Sequence, residues 1–406
     1  MVAAPLPDIA VHASAAPADV LFDLFLVLLA AKLGDEIFRR IRQPAIIGEI
    51  LAGILVGPAL LGWVDLTEPL EVFAELGVVF LLFWVGLETR ITDLREVGGV
   101  AARVGVLGAA GPMAAGVLVG VALGESTDTS VFLGAALVAT SVGITSAVLL
   151  DMGLLTGRAG RTILGAAVVD DVIAMIVLGV AVGIAGGGVD AGAIALVVAL
   201  AVAFVAFFAL GGTAVMRRLP RLLEAPRFSE SPLLPAVILC LGLAALASAI
   251  GLAAIIGAFL AGMMVAETKE RYPIEREVEP LYALFPPFFF AVIGLQVDLD
   301  ALGDPGTLGL LAIVTAVAVV TKLAGAWLGA RRLGSRDAAL VGVGMVPRGE
   351  VGIIVAGIGE AAGVLDERLF AVIVGMSILT TLLVPPLLRV IAGPPSAAPA
   401  PAAPGA

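Results

Sequence analysis

The sequence predicts an all-α polytopic membrane protein with thirteen transmembrane helices, built as inverted repeats with two broken helices that cross. Three observations predict it. The chain is 60% hydrophobic and 14% charged, with a mean hydropathy of +1.13, whereas a soluble domain carries about 25% charged residues. Apolar stretches near the roughly 20 residues that span a bilayer recur from Val20 almost to Arg389. The connections between them alternate between basic and acidic.

Charge and glycine or proline breaks divide the runs in order. The first, 19–38, is closed by Arg39, Arg40 and Arg42, and the second, 44–62, by Asp65 and Glu68. The third, 70–87, meets Arg90, Arg95 and Arg103, which follow it or open the next; the fourth, 97–123, ends at Glu125 and Asp128. The fifth, 131–150, is bounded by Arg158 and Arg161, the sixth, 161–185, by Asp190, and the seventh, 191–216, by Arg217, Arg218, Arg221 and Arg227. The eighth and ninth, 232–249 and 251–267, join only at Ile250–Gly251, and Lys269, Arg271 and Arg276 follow. The tenth, 280–296, precedes Asp298, Asp300 and Asp304; the eleventh, 305–330, precedes Arg331, Arg332 and Arg336; the twelfth and thirteenth are 337–358 and 367–389.

Of the 23 Lys and Arg, 20 fall on one side of this alternation, Arg368 on the other, and Lys322 and Arg348 within runs. Cytoplasmic loops carry the excess of basic residues, so the N-terminus is expected outside and the C-terminus in the cytoplasm of a prokaryotic inner or plasma membrane. Residues 392–406, a Pro/Ala tail, read as disordered. Residues 1–18 form an outer leader without the basic segment of a cleavable signal peptide.

The net charge of −11 and a pI near 4.7 argue against nucleic acid, which calls for a basic face. Cys240, the only cysteine, excludes an intrachain disulfide and reads as a small core residue. His12, the only histidine, lies in the leader, and no cofactor or resident metal is expected.

Asp170 and Asp171 stand together in the middle of the sixth run. Charges deep in a bilayer are costly and mark ion or proton pathways. Asp170 lies nine residues past Arg161, and Lys322 nine before Arg331. At 1.5 Å per residue both sit roughly 13–14 Å from the cytosolic face, too deep for the lysine to snorkel out. Adjacent residues on a helix point about 100° apart, so each aspartate needs its own partner. One division gives Asp170 to Lys322 and leaves Asp171 to a cation.

Two runs read as interrupted. The fifth contains the polar, β-branched and glycine-bearing stretch Ala139-Thr140-Ser141-Val142-Gly143-Ile144-Thr145-Ser146, and the twelfth Gly344-Met345-Val346-Pro347-Arg348-Gly349-Glu350. Proline removes a backbone hydrogen bond and glycine loosens the turn. Unwound backbone within a membrane is tolerated where it is buried in protein or lines a cavity, and there it can help to hold an ion. Arg348 and Glu350 are expected to satisfy one another or the half-helix ends; the alternative is a purely structural role. Runs four to six read plain, interrupted, acidic, and runs eleven to thirteen read basic, interrupted, plain, which is the layout of an inverted repeat. Among other embedded acids, Asp23, Glu49, Glu71, Glu75 and Glu88, Glu75 is a candidate gate. Gly53 and Gly57 have the spacing of a helix contact.

The segments VVDDVIAM, VVTKLAGAW, PRGEVG and ELGVVFLLFWVGLE resemble the monovalent cation:proton antiporter-2 family, and within it the NapA-like sodium/proton antiporters of the NhaA/NapA-like fold. The resemblance covers Val20 to Arg389. It implies exchange of cytosolic Na+ or Li+ for external H+ by a homodimer in lipid. It further implies dimerisation segments at 19–96 and 231–304, an ion-carrying core at 97–190 and 305–391 that slides as an elevator, and a linker at 191–230. The cation site would use Asp171 with Asp170, Thr140 and Ser141; Lys322 would pair with Asp170, and Glu350 falls in the matching stretch of the second broken helix. Potassium/proton exchange of the Kef branch is the main alternative, although that branch often has Gln or Asn where Asp170 stands and commonly carries a cytosolic nucleotide-binding domain. A sodium-coupled organic-anion symporter is a weaker reading. An intramembrane aspartyl protease needs acids facing each other from separate helices, and no catalytic residue is expected here.

Overall fold

The computed structural model describes residues 17–41, 43–186, 188–218, 233–268, 274–297 and 304–392. His12 with most of the leader, Arg42, Arg221, Arg227, Lys269, Arg271, Asp298, Asp300 and the tail from 393 onward lie outside them, as do the side chains of Arg217 and Glu350.

Each of the thirteen apolar runs is helical. Four are single helices at the start of the chain: α1 (Pro17–Arg40), α2 (Ala45–Val56), α3 (Glu68–Leu87) and α4 (Ile91–Leu123). The fifth run is two, α5 (Thr127–Val138) and α6 (Val142–Asp151), followed by α7 (Arg158–Ala185). α8 (Ala191–Ala206) passes through one wide π turn, Phe207–Gly212, into α9 (Thr213–Arg218). Next come α10 (Leu233–Ala249), α11 (Ala254–Ala266), α12 (Ile274–Leu284), α13 (Pro286–Leu295) and α14 (Pro305–Ala330). The twelfth run is α15 (Ser335–Gly344) and α16 (Glu350–Ala361), and the chain closes with α17 (Glu367–Ala392). Among the described residues, eight helical stretches are long and apolar enough to cross a membrane, and the protein is an integral membrane protein.

The helix ends follow local chemistry. Ser126 Oγ accepts from Thr129 N at the start of α5, Asp190 Oδ1 from Gly192 N and Ala193 N at α8, and Asp304 Oδ2 from Thr307 N at α14; each satisfies an amide that the helix leaves open. The Ile250–Gly251 junction is a turn in which Gly251 takes φ +86, a conformation cheap only for glycine. Two breaks differ from expectation. The unwound part of the fifth run is only 139–141, because Val142 onward is already helical. The tenth run, expected as one helix, starts earlier and is split at Phe285. Pro286 and Pro287 open α13 there, at the positions where a missing N–H does no harm.

The helices pack in two bundles. In the first, α4 lies against α5, α7 and α14, and α15, α16 and α17 close the remaining side. In the second, α3 lies against α11 and α13, α2 against α1 and α13, and α10 against α11. The α8–α9 arm touches α7 of one bundle and α11 of the other. Lipid tails are as apolar as leucine, so helices in a bilayer associate through close packing and polar contacts. Glycine supplies the closeness: Gly53 abuts the Ala291 carbonyl, Gly294 that of Ile50, and Gly325 that of Leu107. Gly57 meets Leu295, so the Gly53/Gly57 pair does mark a helix crossing, that of α2 with α13.

Candidate functional site

The two helix breaks lie against each other in the first bundle. Ser141 N donates to Pro347 O at 2.8 Å. Thr145 Oγ1 donates to Gly344 O at 2.6 Å and Thr140 Oγ1 to Met345 O at 3.3 Å. Ending α15 at Gly344 strands its last carbonyls, and the hydroxyls of the other broken helix answer two of these needs. Gly349 sits so close to Ser141 Oγ that a methyl group would meet it at 2.6 Å. Ser141 Oγ itself is buried and has no hydrogen-bond partner.

Lys322 of α14 reaches this crossing fully buried. Its Nζ donates to Asp170 Oδ1 at 2.8 Å, to Asp170 Oδ2 at 3.0 Å and to Val138 O at 2.7 Å. An ammonium has three donor hydrogens, and carboxylate and carbonyl together engage it. Val138 ends α5, so its carbonyl is free because the helix stops there. The lysine thus joins three helices: its own, the acid-bearing α7 and the broken α5. Removing either member of a buried pair leaves an uncompensated charge, which ties the three together energetically.

Asp171 points elsewhere on α7. It is 6% exposed and borders a small chamber of about 20 Å3 walled by Leu82, Val142, Ala167, Ile255 and Phe259. That is room for about one water. Arg348 is 0% exposed. Its Nη1 donates to Val346 O at 2.9 Å and to Met345 O at 3.4 Å. Its backbone is held on both sides by α17: the amide donates to Thr380 Oγ1 at 3.1 Å and the carbonyl accepts from Thr381 Oγ1 at 2.8 Å. Of the two expected partners for Arg348, the half-helix end is the one it meets; the Glu350 side chain lies outside the described residues. Nε and Nη2 have no hydrogen-bond partner.

Glu75 is exposed and lines, with Glu71 and Gln296, a separate cavity of about 450 Å3 between α3, α13 and α16. Sequence reasoning did not find the Val138 carbonyl, the Thr145–Gly344 bond or the Thr380/Thr381 clamp. Thr145 stood in the polar stretch of the fifth run, but nothing in the sequence pairs it with Gly344 across 199 positions or Thr381 with Arg348 across 33.

Asp170, Asp171, Lys322 and Arg348 sum to zero charge when all are ionised. Such a group carries the same net charge whether it holds one added proton or one monovalent cation, so it can trade one for the other. Among the described residues no set of three His, Cys, Asp or Glu gathers as a metal cluster, so oxygen atoms of acids, hydroxyls and freed carbonyls are the available ligands, and these suit hard cations.

The family profile described as sodium/hydrogen exchanger, transmembrane, matches residues 25–391. The Na(+)/H(+)-K(+) antiporter GerN of Bacillus cereus is 37% identical over 371 residues, covering 91% of this chain and 95% of that one. The Na(+)/H(+) antiporter of Enterococcus hirae is 34% identical over 370 residues, covering 90% and 96%. Among solved structures, the sodium proton antiporter MjNhaP1 from Methanocaldococcus jannaschii shares the fold with a TM-score of 0.59 at 17% identity, over 92% of this chain and 99% of that one.

Proposed function

Because this chain belongs to the transmembrane sodium/hydrogen exchanger family, within the monovalent cation:proton antiporters, we propose that it is a secondary active antiporter that exports cytosolic Na+ or Li+ against entering H+. The observation that carries this reading is the buried Lys322–Asp170 pair beside Asp171, set where two helices break.

The mechanism is competition between ions. In the proton-loaded form Asp171 holds a proton and Lys322 is an ammonium against the Asp170 carboxylate. A sodium ion takes the Asp171 carboxylate, with Asp170, Thr140 and Ser141 completing its shell; the Asp171 proton leaves, and Lys322 gives up a second as Asp170 turns to the cation. Two protons therefore exchange for one sodium. One net charge moves per cycle, so membrane voltage, worth about 2.3 kcal/mol per charge per 100 mV, drives sodium out. Bare carboxylates are too costly to carry across, which couples the two fluxes.

Thirteen spans, N-terminus outside and C-terminus cytoplasmic, fit the charge alternation. The first bundle, residues 97–190 and 305–391, is the moving carrier. The second, 19–96 and 231–304, is the frame and the homodimer contact, joined by the 191–230 linker. The two-bundle packing supports this division, and the crossed breaks support the inverted repeat.

The test is proton flux in proteoliposomes under an imposed pH gradient, adding sodium, lithium or potassium in turn. Flux driven by sodium and lithium should vanish in Asp171→Ala. Asp170→Asn should keep exchange but lose its voltage dependence; unchanged charge movement would overturn the two-proton stoichiometry. Potassium is the second reading, favoured by the name of the Bacillus cereus relative, and potassium-driven flux alone would establish it.

A further inference from the structure

The 450 Å3 vestibule and the 20 Å3 chamber at Asp171 share a single lining residue, Ile255. The lining of the vestibule is mixed, with the polar Glu71, Glu75 and Gln296 alongside the apolar Phe289 and Ile353. The chamber holds the one acid of the pair that Lys322 does not bind. Ile255 is 4% exposed and stands in the first turn of α11. The turn at Ile250–Ala253, with Gly251 at positive φ, sets it there.

We propose that Ile255 is the outer barrier of the transport path: a branched side chain fixed on the frame that separates the hydrated vestibule from Asp171. The chemistry is that of a dry constriction. An apolar side chain offers a hydrated cation no replacement ligand, so the ion stays in the vestibule until the carrier moves its site. Ile255 is β-branched and stiff at χ1, and its backbone is held in a helix, so the plug does not swing aside. It governs from which side, and at what rate, ions and water reach the site, and it touches neither bound ion. The inference rests on the antiporter reading for the ion that is held back, while loop charge places the vestibule outside. The barrier itself is a matter of geometry.

The test uses a thiol placed behind the barrier. Ala167 lines the Asp171 chamber one helical turn from the acid and is buried. Ala167→Cys is made in a Cys240→Ala background and reconstituted in right-side-out vesicles. Ag+, a monovalent cation that replaces the thiol proton to form a silver thiolate, is added outside for timed intervals. After unfolding, a fluorescent maleimide counts the thiols left free. Adding Ile255→Ala should raise the external rate at least tenfold, Ile255→Leu should leave it near the parent, and the rate for Ag+ added inside should not change. Equal external rates for Ile255 and Ile255→Ala would overturn the proposal, as would a rise of similar size from both sides, which is the mark of general loosening. Sodium-driven proton flux in the parent is measured alongside; its absence with a normal labelling contrast would remove the antiporter reading and leave the barrier standing.

Discussion

Lys322 binds Asp170 and the end of α5 at once, so its loss is felt in stability as well as transport. Lys322→Ala leaves a buried carboxylate without its cation, and breaking such a pair costs about 3–5 kcal/mol. Thermal unfolding in detergent should show a large loss that Lys322→Met combined with Asp170→Asn partly restores. Thr145→Val is isosteric but strands the Gly344 carbonyl, at a cost of about 1–3 kcal/mol; the same melt should show it, with Thr315→Val as a comparison, because Thr315 Oγ1 makes no hydrogen bond. At the other end of α14, the Thr307 amide and hydroxyl hold the exposed Asp304 carboxyl below its usual 3.8. A depressed folded value means the cap contributes at neutral pH and is lost as pH falls through that lowered value. Protection of the Thr307 amide, measured against its intrinsic exchange rate at the same pH, should therefore fall under acid in the parent, and already be low at neutral pH in Asp304→Ala. At this scale the acids and the lysine were legible, because a charge in an apolar run has few reasons to be there. The carbonyl and hydroxyl partners were not, since any helix break frees carbonyls and the sequence does not say which side chain will reach them.

Among the elements, the break that carries Pro347 was legible from proline and glycine chemistry, and the one at 139–141 from its polarity. The split at Phe285 was not, because two prolines inside an apolar run look alike whether they kink a helix or begin one. The π turn at Phe207–Gly212 has no sequence mark at all. Where α2 crosses α13, Gly53 rests on the Ala291 carbonyl, and any side chain must push the helices apart. Gly53→Leu should destabilise by at least the 1–3 kcal/mol of ordinary overpacking, while Gly98→Leu, which meets nothing within 4 Å, should melt close to the parent.

For the whole molecule, motion between the bundles has a direct test. Gly143 of α6 faces Val78 of α3, with 3.0 Å between the Val78 methyl group and where a Gly143 side chain would begin. A Val78→Cys/Gly143→Cys pair should oxidise readily, stop exchange and recover on reduction; exchange that continues through the crosslink would sink the moving-carrier reading. The bundle division followed from resemblance more than from periodicity, since periodicity marks helices and is silent on which of them travel together. The glycine contacts add a mechanical statement. Where a glycine brings two helices backbone to backbone, as at Gly53–Ala291, Gly86–Phe259, Gly116–Gly134 and Gly325–Leu107, both belong to the same bundle. Across the boundary, Gly143 meets the side-chain tips of Val78, Leu82 and Phe289, and Gly251 that of Met175. Backbone contact interlocks like gear teeth, whereas side-chain tips can be exchanged for others at a small cost. The chain thus spends its glycines on making two stiff bodies and leaves the bearing surface between them smooth, so substitutions on that surface should retune turnover while those in the seams decide whether the protein assembles at all.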